Sequence, residues 1–327
     1  MKKLTLFAIF AIVVIPLVVL AAPQDTLRKA IVHIATMQEE NGAWSRLKGE
    51  FPAEAESTAW AVKVLAMNGM APEKVDKGVT FLLKDQRPDG SWSNNTAGTA
   101  FTIMALKQAN KGDEAIKKAI QYLRDVQDPE GGFKRLGKEG PPLTIYTAMV
   151  LAALKEAGVP RNDPMVRMAL DWLMGCQNAD GGYPIPKGTP SLSFATGLVI
   201  KGLTAYGVAP TTPFIQDAVE YLLTTQKPSG GFAPVPPAPE DPEVTAYVII
   251  GLSKFADKKN VITKAVDYLG KAQQSDGAFI SNLPVQFNKV AKKNTQTTCW
   301  VAWALSEAMG KDAGGVPATP SDLRIGK

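Results

Sequence analysis

The stretch that decides the fold is QNADGGY, Gln177 to Tyr183, because five further copies of its skeleton, Gln-x-x-x-Gly-small-aromatic, stand elsewhere in the chain. They are Gln38-Gly42-Ala43-Trp44, Gln86-Gly90-Ser91-Trp92, Gln127-Gly131-Gly132-Phe133, Gln226-Gly230-Gly231-Phe232 and Gln273-Gly277-Ala278-Phe279. Self-similarity at a fixed period is the mark of a repeat architecture, in which one supersecondary unit is stacked many times.

Upstream of each Gln the pattern is helical. Eight residues earlier stands Ala30, Gly78, Ala119, Ala169, Ala218 or Ala265, and five earlier His33, Phe81, Tyr122, Trp172, Tyr221 or Tyr268. Four earlier is Ile34 or a Leu, and eleven earlier Leu27, Val75, Ile116, Val166, Ile215 or Ile262. Offsets of 3, 4 and 7 place these residues on one helical face. The remainder, as in AIKKAIQYLRDVQ, is charged, so these six helices expect one wet side.

Downstream, after a loop of variable length, a second helix opens on Thr plus a small residue: Thr58-Ala59, Thr99-Ala100, Thr147-Ala148, Thr196-Gly197, Thr245-Ala246 and Thr298-Cys299. Seven residues after each Thr is a Leu. TAYVIIGLSKF and TAMVLAALKEAG are apolar nearly all round, the pattern of a buried helix, and their Ala and Gly allow close approach. Alternation of amphipathic and wholly apolar helices predicts an all-α, six-hairpin α/α toroid (an α6/α6 barrel) with an inner and an outer ring of helices. An open solenoid needs polar terminal caps, yet the first and last hairpins keep the full pattern, so the ring is expected to close.

The signature has a structural reading of its own. Its Gly supplies the positive φ of an outer-helix C-cap, its Gln ties off orphan groups at neighbouring helix ends, and its aromatic packs over the turn.

The single toroid is expected over residues 25–310, with an irregular tail at 311–327. The start reads differently: Lys2 and Lys3 precede an apolar run from Leu4 to Leu20 that ends on Ala21-Ala22-Pro23, the layout of a signal peptide at 1–21. Export to the periplasm, the cell surface or the medium is therefore expected. A membrane enters only if the segment is retained as an anchor. Removing the two lysines takes the formal charge from +5 to +3, and no basic block with interleaved aromatics is present, so no nucleic acid partner is expected. Cys176 and Cys299 are too few for a disulfide framework.

These motifs resemble the repeats of the terpenoid cyclase and protein prenyltransferase family, that is, squalene–hopene cyclases and prenyltransferase β subunits. The resemblance covers the whole chain after the signal segment and implies the toroid with a central cavity at one end of the inner helices. Squalene–hopene cyclases protonate a polyene with Asp-x-Asp-Asp-Thr-Ala at the start of an inner helix, and the match here is Asp241-Pro242-Glu243-Val244-Thr245-Ala246. Glu243 falls on the catalytic acid and Asp241 on the first Asp, while Val244 replaces the last. Carboxylates at a helix start also favour the helix dipole, and Glu56 holds the same place in the first repeat. The zinc of the prenyltransferases needs Asp, Cys and His; the one histidine, His33, stands at a packing position, so no metal is expected. GCQNAD around Cys176 lacks the thioester pattern Cys-Gly-Glu-Gln. No cofactor is expected.

All six loops between signature and inner helix should emerge at one end, beside six inner-helix N-termini. Lys134, Arg135, Lys289, Lys292 and Lys293 gather there, with Tyr146 and Phe194 placed to line the mouth. They would suit an anionic or amphiphilic small molecule or a glycan. Three functions stay open: a non-catalytic ligand-binding or protein-interaction scaffold, which leads because each catalytic motif is missing or broken; a cyclase-like isoprenoid enzyme with Glu243 as general acid; and a polysaccharide-acting enzyme.

Overall fold

The computed structural model describes residues 22–283 and 293–310. The signal segment at 1–21, the tail at 311–327, Lys289 and Lys292 lie outside the described residues. Six outer helices are α1 (Pro23–Thr36), α3 (Pro72–Asp85), α5 (Asp113–Val126), α7 (Pro164–Met174), α9 (Pro213–Thr224) and α11 (Lys259–Ala272). They alternate with inner helices α2 (Ala55–Met67), α4 (Thr96–Gln108), α6 (Thr144–Glu156), α8 (Ser193–Ala205), α10 (Pro242–Leu252) and α12 (Thr295–Ala308). The outer set is wet on one side: α5 buries only Ile116, Ala119, Tyr122, Leu123 and Val126. In α10 every residue from Pro242 to Leu252 is buried.

Each inner helix packs against the next, α2 on α4, α4 on α6, and so on to α10 on α12, and α12 returns to α2. The expected α/α toroid is formed, and it is closed. Small residues set the spacing where backbones meet. A methyl group on Gly251 would come 2.4 Å from the Gly197 carbonyl oxygen, so only glycine permits the α8–α10 contact.

The signature glutamines are stitches between neighbouring repeats. Each side-chain amide donates to the carbonyl of its own signature Gly and to a carbonyl in the first turn of the next outer helix. Gln38 reaches Gly42 at 2.8 Å and Lys74 at 2.9 Å. Gln86 reaches Ala115, Gln127 Met165, Gln177 Phe214 and Gln226 Val261 in the same way. The sixth, Gln273, turns back to Thr26 in α1 at 2.8 Å. The amide thus ties in a carbonyl at the start of the next helix, where orphan groups at a helix end were expected; its own helix has already stopped.

The Gly expectation also needs correction. The outer helices end at or before the Gln, with Gln86, Gln127 and Gln273 themselves as C-caps in extended geometry. The Gly instead closes a tight turn four residues later, as in Gly277 N–H donating to the Gln274 carbonyl at 2.9 Å. Gly277 has φ +89°, and a methyl group there would meet the Lys29 carbonyl oxygen of α1 at 2.3 Å. Conformation and closeness both demand glycine.

The threonines sit one turn inside the inner helices, because each helix starts three residues earlier than the Thr-small pair. Their hydroxyls accept the backbone N–H of the signature aromatic, as Thr58 does from Trp44 at 3.0 Å and Thr245 from Phe232 at 2.8 Å. The same hydroxyls donate to the carbonyl four residues back, Glu54 and Asp241. The aromatics they hold are fully enclosed, and the Trp44 indole donates to the Ile34 carbonyl at 2.7 Å.

Candidate functional site

Positions two residues before, and two, five and nine after, each repeated Thr share one face of an inner helix by their spacing of 4, 3 and 4. On that face the six helices build tiers around the ring axis. The first tier, at the mouth, is Glu56, Ala97, Ile145, Phe194, Glu243 and Gln296. The second is Trp60, Phe101, Met149, Leu198, Tyr247 and Trp300. Beneath it come Lys63, Lys201 and Trp303, then Glu156 and Glu307.

The mouth tier holds the cyclase-like motif. Asp241 is the N-cap of α10, accepting from the N–H groups of Glu243 at 2.8 Å and Val244 at 3.3 Å. It also accepts from the Ser281 hydroxyl at 2.9 Å and the Asn282 N–H at 2.6 Å, so it pins the last loop to α10. Glu243 does not cap. Its carboxyl turns across to α12, accepting from Gln296 Nε2 at 2.6 Å, Thr297 Oγ1 at 2.6 Å and, on its own helix, the Tyr247 hydroxyl at 2.8 Å. Burial raises the Glu243 pKa, the three hydrogen bonds oppose the rise, and the Asp241 charge adds to it. Burial, followed by the Glu243 charge, holds the Tyr247 phenol well above its ordinary range.

Glu56 is the second raised carboxyl of this tier. Its pKa rises to about 7, mainly through burial, with Arg46 pulling it down, Glu54 pushing it up and Arg135 pulling it down. Tyr146 senses Arg135, Glu56 and Arg46 beneath its own desolvation, and Tyr146 and Phe194 are half-buried at this end of the ring. The structure therefore brings Glu243, Glu56, Tyr146 and Arg135 to one mouth, with Asp241 behind Glu243.

Of the lysines expected at the mouth, the two among the described residues are each in an ion pair. Lys134 pairs with Asp128 at 3.0 Å, and Lys293 with Asp276 at 2.8 Å.

Below the mouth the axis is filled. Trp60 meets Phe101 edge-on with centroids 5.6 Å apart, Phe101 meets Trp300 at 5.5 Å, and Tyr247 meets Trp300 at 4.4 Å. Trp303 stacks on Trp300 at 5.1 Å, and the Lys63 ammonium lies 4.7 Å from the Trp303 ring. The cavity among Trp60, Lys63, Phe101, Trp300 and Trp303 measures about 10 Å³. Two ion pairs lie under this plug, each between inner helices that are not ring neighbours: Lys63 on α2 with Glu156 on α6 at 2.8 Å, and Lys201 on α8 with Glu307 on α12 at 2.6 Å. Glu307 also accepts from the Trp303 indole and the Ser253 hydroxyl, both at 2.7 Å.

Sequence reasoning passed over Gln296, Thr297, Tyr247, the aromatic tier and the floor of ion pairs. The signal was present: Lys63 and Lys201 recur five residues after Thr in helices otherwise apolar all round. Among the described residues no cluster of three or more His, Cys, Asp or Glu side chains could hold a metal ion.

The chain matches the profile of the squalene-hopene cyclase C-terminal domain at residues 8–103 and 93–187, more than half its length, and belongs to that family. It is 30% identical over 159 residues to a squalene–hopene cyclase of Bradyrhizobium diazoefficiens, covering 38% of this chain and 24% of that one. It is 30% identical over 179 residues to a drimenyl diphosphate synthase of Streptomyces showdoensis, covering 50% of this chain and 33% of that one. The chain thus spans about a quarter to a third of these relatives. The type II terpene cyclase MstE from Scytonema shares the fold at a TM-score of 0.69 and 18% identity, over 88% of this chain and 99% of that one.

Proposed function

We propose that the chain is a non-catalytic toroidal scaffold, exported by its N-terminal apolar segment, that meets a protein partner with the loops at its mouth. The filled axis carries this reading. Sites for small molecules run to roughly 300–1,000 Å³, against about 10 Å³ among the axial rings here. Admitting a polyene would displace several packed aromatics, each a costly loss from a core at crystal-like density. The cross-axis ion pairs further favour a rigid ring, since parting either one would strand a charge. Phe51, 47% exposed, and Leu136, 41% exposed, offer apolar contact on the mouth loops. The test is incubation of the purified protein with squalene and with C15 and C20 prenyl diphosphates, followed by product extraction. No conversion is expected; a cyclised product that disappears in Glu243→Gln would overturn the scaffold.

That second outcome corresponds to the cyclase reading, which one observation favours: Glu243 is buried, inclined to hold its proton, and linked through Tyr247 to a row of π-faces. A single ring is no obstacle to it, because the Scytonema cyclase is itself spanned almost entirely by a toroid of this size.

A further inference from the structure

At the end of the ring away from the mouth, each inner helix turns over into the next outer one, and four of the five described turns are alike. Four residues after the inner-helix Leu stands a left-handed residue, Gly69, Asn110, Gly158 or Gly207. The N–H of the following residue then returns to that Leu carbonyl, as Met70 does to Leu65 at 3.0 Å and Val159 to Leu154 at 2.9 Å. This bond seals a helix C-terminus. The fifth turn departs from the pattern. Four residues after Leu252 stands Ala256, whose Cβ disfavours the left-handed region. Here α10 stops at Leu252 itself, and the chain passes through a short 3-10 turn, Ala256–Lys258, into α11.

Beside this turn lies a cavity of about 430 Å³, between the end of α10, the start of α11 and the last residue of α12. Phe255, Ile262 and Ala308 give it an apolar lining, and the first two are buried. Lys254, Lys259 and Thr263, all exposed, complete the wall. The two lysines bring positive charge to the rim, and the nearby carboxylates are matched. Asp257 pairs with Lys258 at 2.8 Å. Glu307, which accepts from the Ser253 hydroxyl of the same wall, is paired with Lys201. The start of α11 adds to the field: no side chain caps it at Lys258, and a helix N-terminus carries partial positive charge.

We propose that this cavity binds a single-chain amphiphile with a carboxylate head. Its volume falls within the roughly 300–1,000 Å³ of small-molecule sites, as the space on the ring axis does not. The apolar body of the ligand leaves water against Phe255, Ile262 and Ala308. The head meets Lys259 and the first turn of α11, with Lys254 on the same rim. Both parts are needed. An ion without an apolar body would be held only by exposed lysines, a weak attachment in water, and a neutral head would leave the positive rim unmatched. The site lies at the end of the ring opposite the mouth and uses neither Glu243 nor the mouth loops, so it stands whether or not the ring is catalytic.

Decanoate below its micellar concentration is the probe, with decanol and acetate beside it, in calorimetric titrations of the whole protein. The methyl NMR signal of Ile262 reports where binding occurs. Decanoate should bind and move that signal, and acetate should leave it in place. Decanol should bind on the order of tenfold more weakly, the worth of one hydrogen bond to a charged group. Lys259→Ala should bring decanoate down to the affinity of decanol. Thr263→Trp, a change at an exposed position of the wall, should fill the cavity and abolish binding while the helical circular dichroism is retained. Decanol binding as tightly as decanoate, an unmoved Ile262 signal, or undiminished decanoate binding in Thr263→Trp would each overturn the site. Should Thr263→Trp fail to fold, Lys259→Ala decides, and an unchanged decanoate affinity counts against the proposal.

Discussion

Gln273 donates its side-chain amide to the backbone carbonyl of Thr26, a partner 247 positions earlier in the chain. The same bond joins every other pair of neighbouring repeats across 29 to 38 positions. Five of these stitches are local in the folding sense and one is not, since it forms only when the chain's far ends have met.

Replacing Gln273 by Ala removes both amide bonds and leaves two half-buried carbonyls. A loss of about 1–3 kcal/mol is expected by denaturant unfolding. Gln127→Ala should cost a similar amount, but only Gln273→Ala should speed hydrogen exchange in α1. Equal exchange in the two variants would show that the closing stitch is no different from the others.

Gly277 and Gly49 separate two reasons for glycine. Both have positive φ, +89° and +81°, but a methyl group at Gly49 has nothing within 4 Å, whereas at Gly277 it strikes the α1 backbone. Gly49→Ala should cost only the left-handed strain, about 1 kcal/mol or slightly more. Gly277→Ala adds displacement of α1 and should cost about 3 kcal/mol or more. Thermal unfolding of the pair, with the native chain as reference, checks the ranking.

The ion pairs beneath the aromatic plug differ from those on the surface. Glu307 retains 4% of its side-chain exposure and pairs with Lys201. Lys201→Met leaves that charge without its cation and is expected to lose about 3–5 kcal/mol. Lys117, paired with Glu114 on the open face of α5, should be replaceable by Ala without a measurable change in stability.

Both mouth acids have raised pKa values in the fold, so folding favours their protonated forms. Their contribution is fully present below the unfolded carboxyl value, near 4.5, and is lost as pH climbs, through about 7 in the case of Glu56. Such a movement corresponds to roughly 3 kcal/mol for Glu56. The midpoint of thermal unfolding should therefore fall between about pH 5 and about pH 8, and Glu56→Gln should flatten that fall. Below this range the sign reverses, because Asp163 and Asp276, held low by Arg124 and Lys293, lose their own stabilisation on protonation. A native curve flat across neutrality would remove the premise.

The ring was readable from sequence because its determinants are local and repeated. Gln, Gly, aromatic and Thr recur in register, and helical spacing sorts wet faces from dry ones. Asp241 and Glu243 were also located in sequence, through the motif around Thr245. Their division of labour was not, because capping and acid placement both call for a carboxylate before a helix. Which one caps depends on where Gln296 and Thr297 fall, more than 50 positions away. The closed axis was hidden for a related reason. Trp60, Phe101, Tyr247 and Trp300 belong to four different repeats, and each by itself is only an apolar residue on a buried helix.

The bond from Gln273 to Thr26 also bears on how such a ring could gain a hairpin. In an open stack, a duplicated unit simply lengthens the rod, since the last unit always offers a free edge to the next. Here the sixth amide already holds the first helix, so a seventh hairpin would have to break that bond and re-space every inner contact at once. Adding a unit to this circle therefore disturbs all of its contacts together, a cost that a rod growing at its free edge never meets.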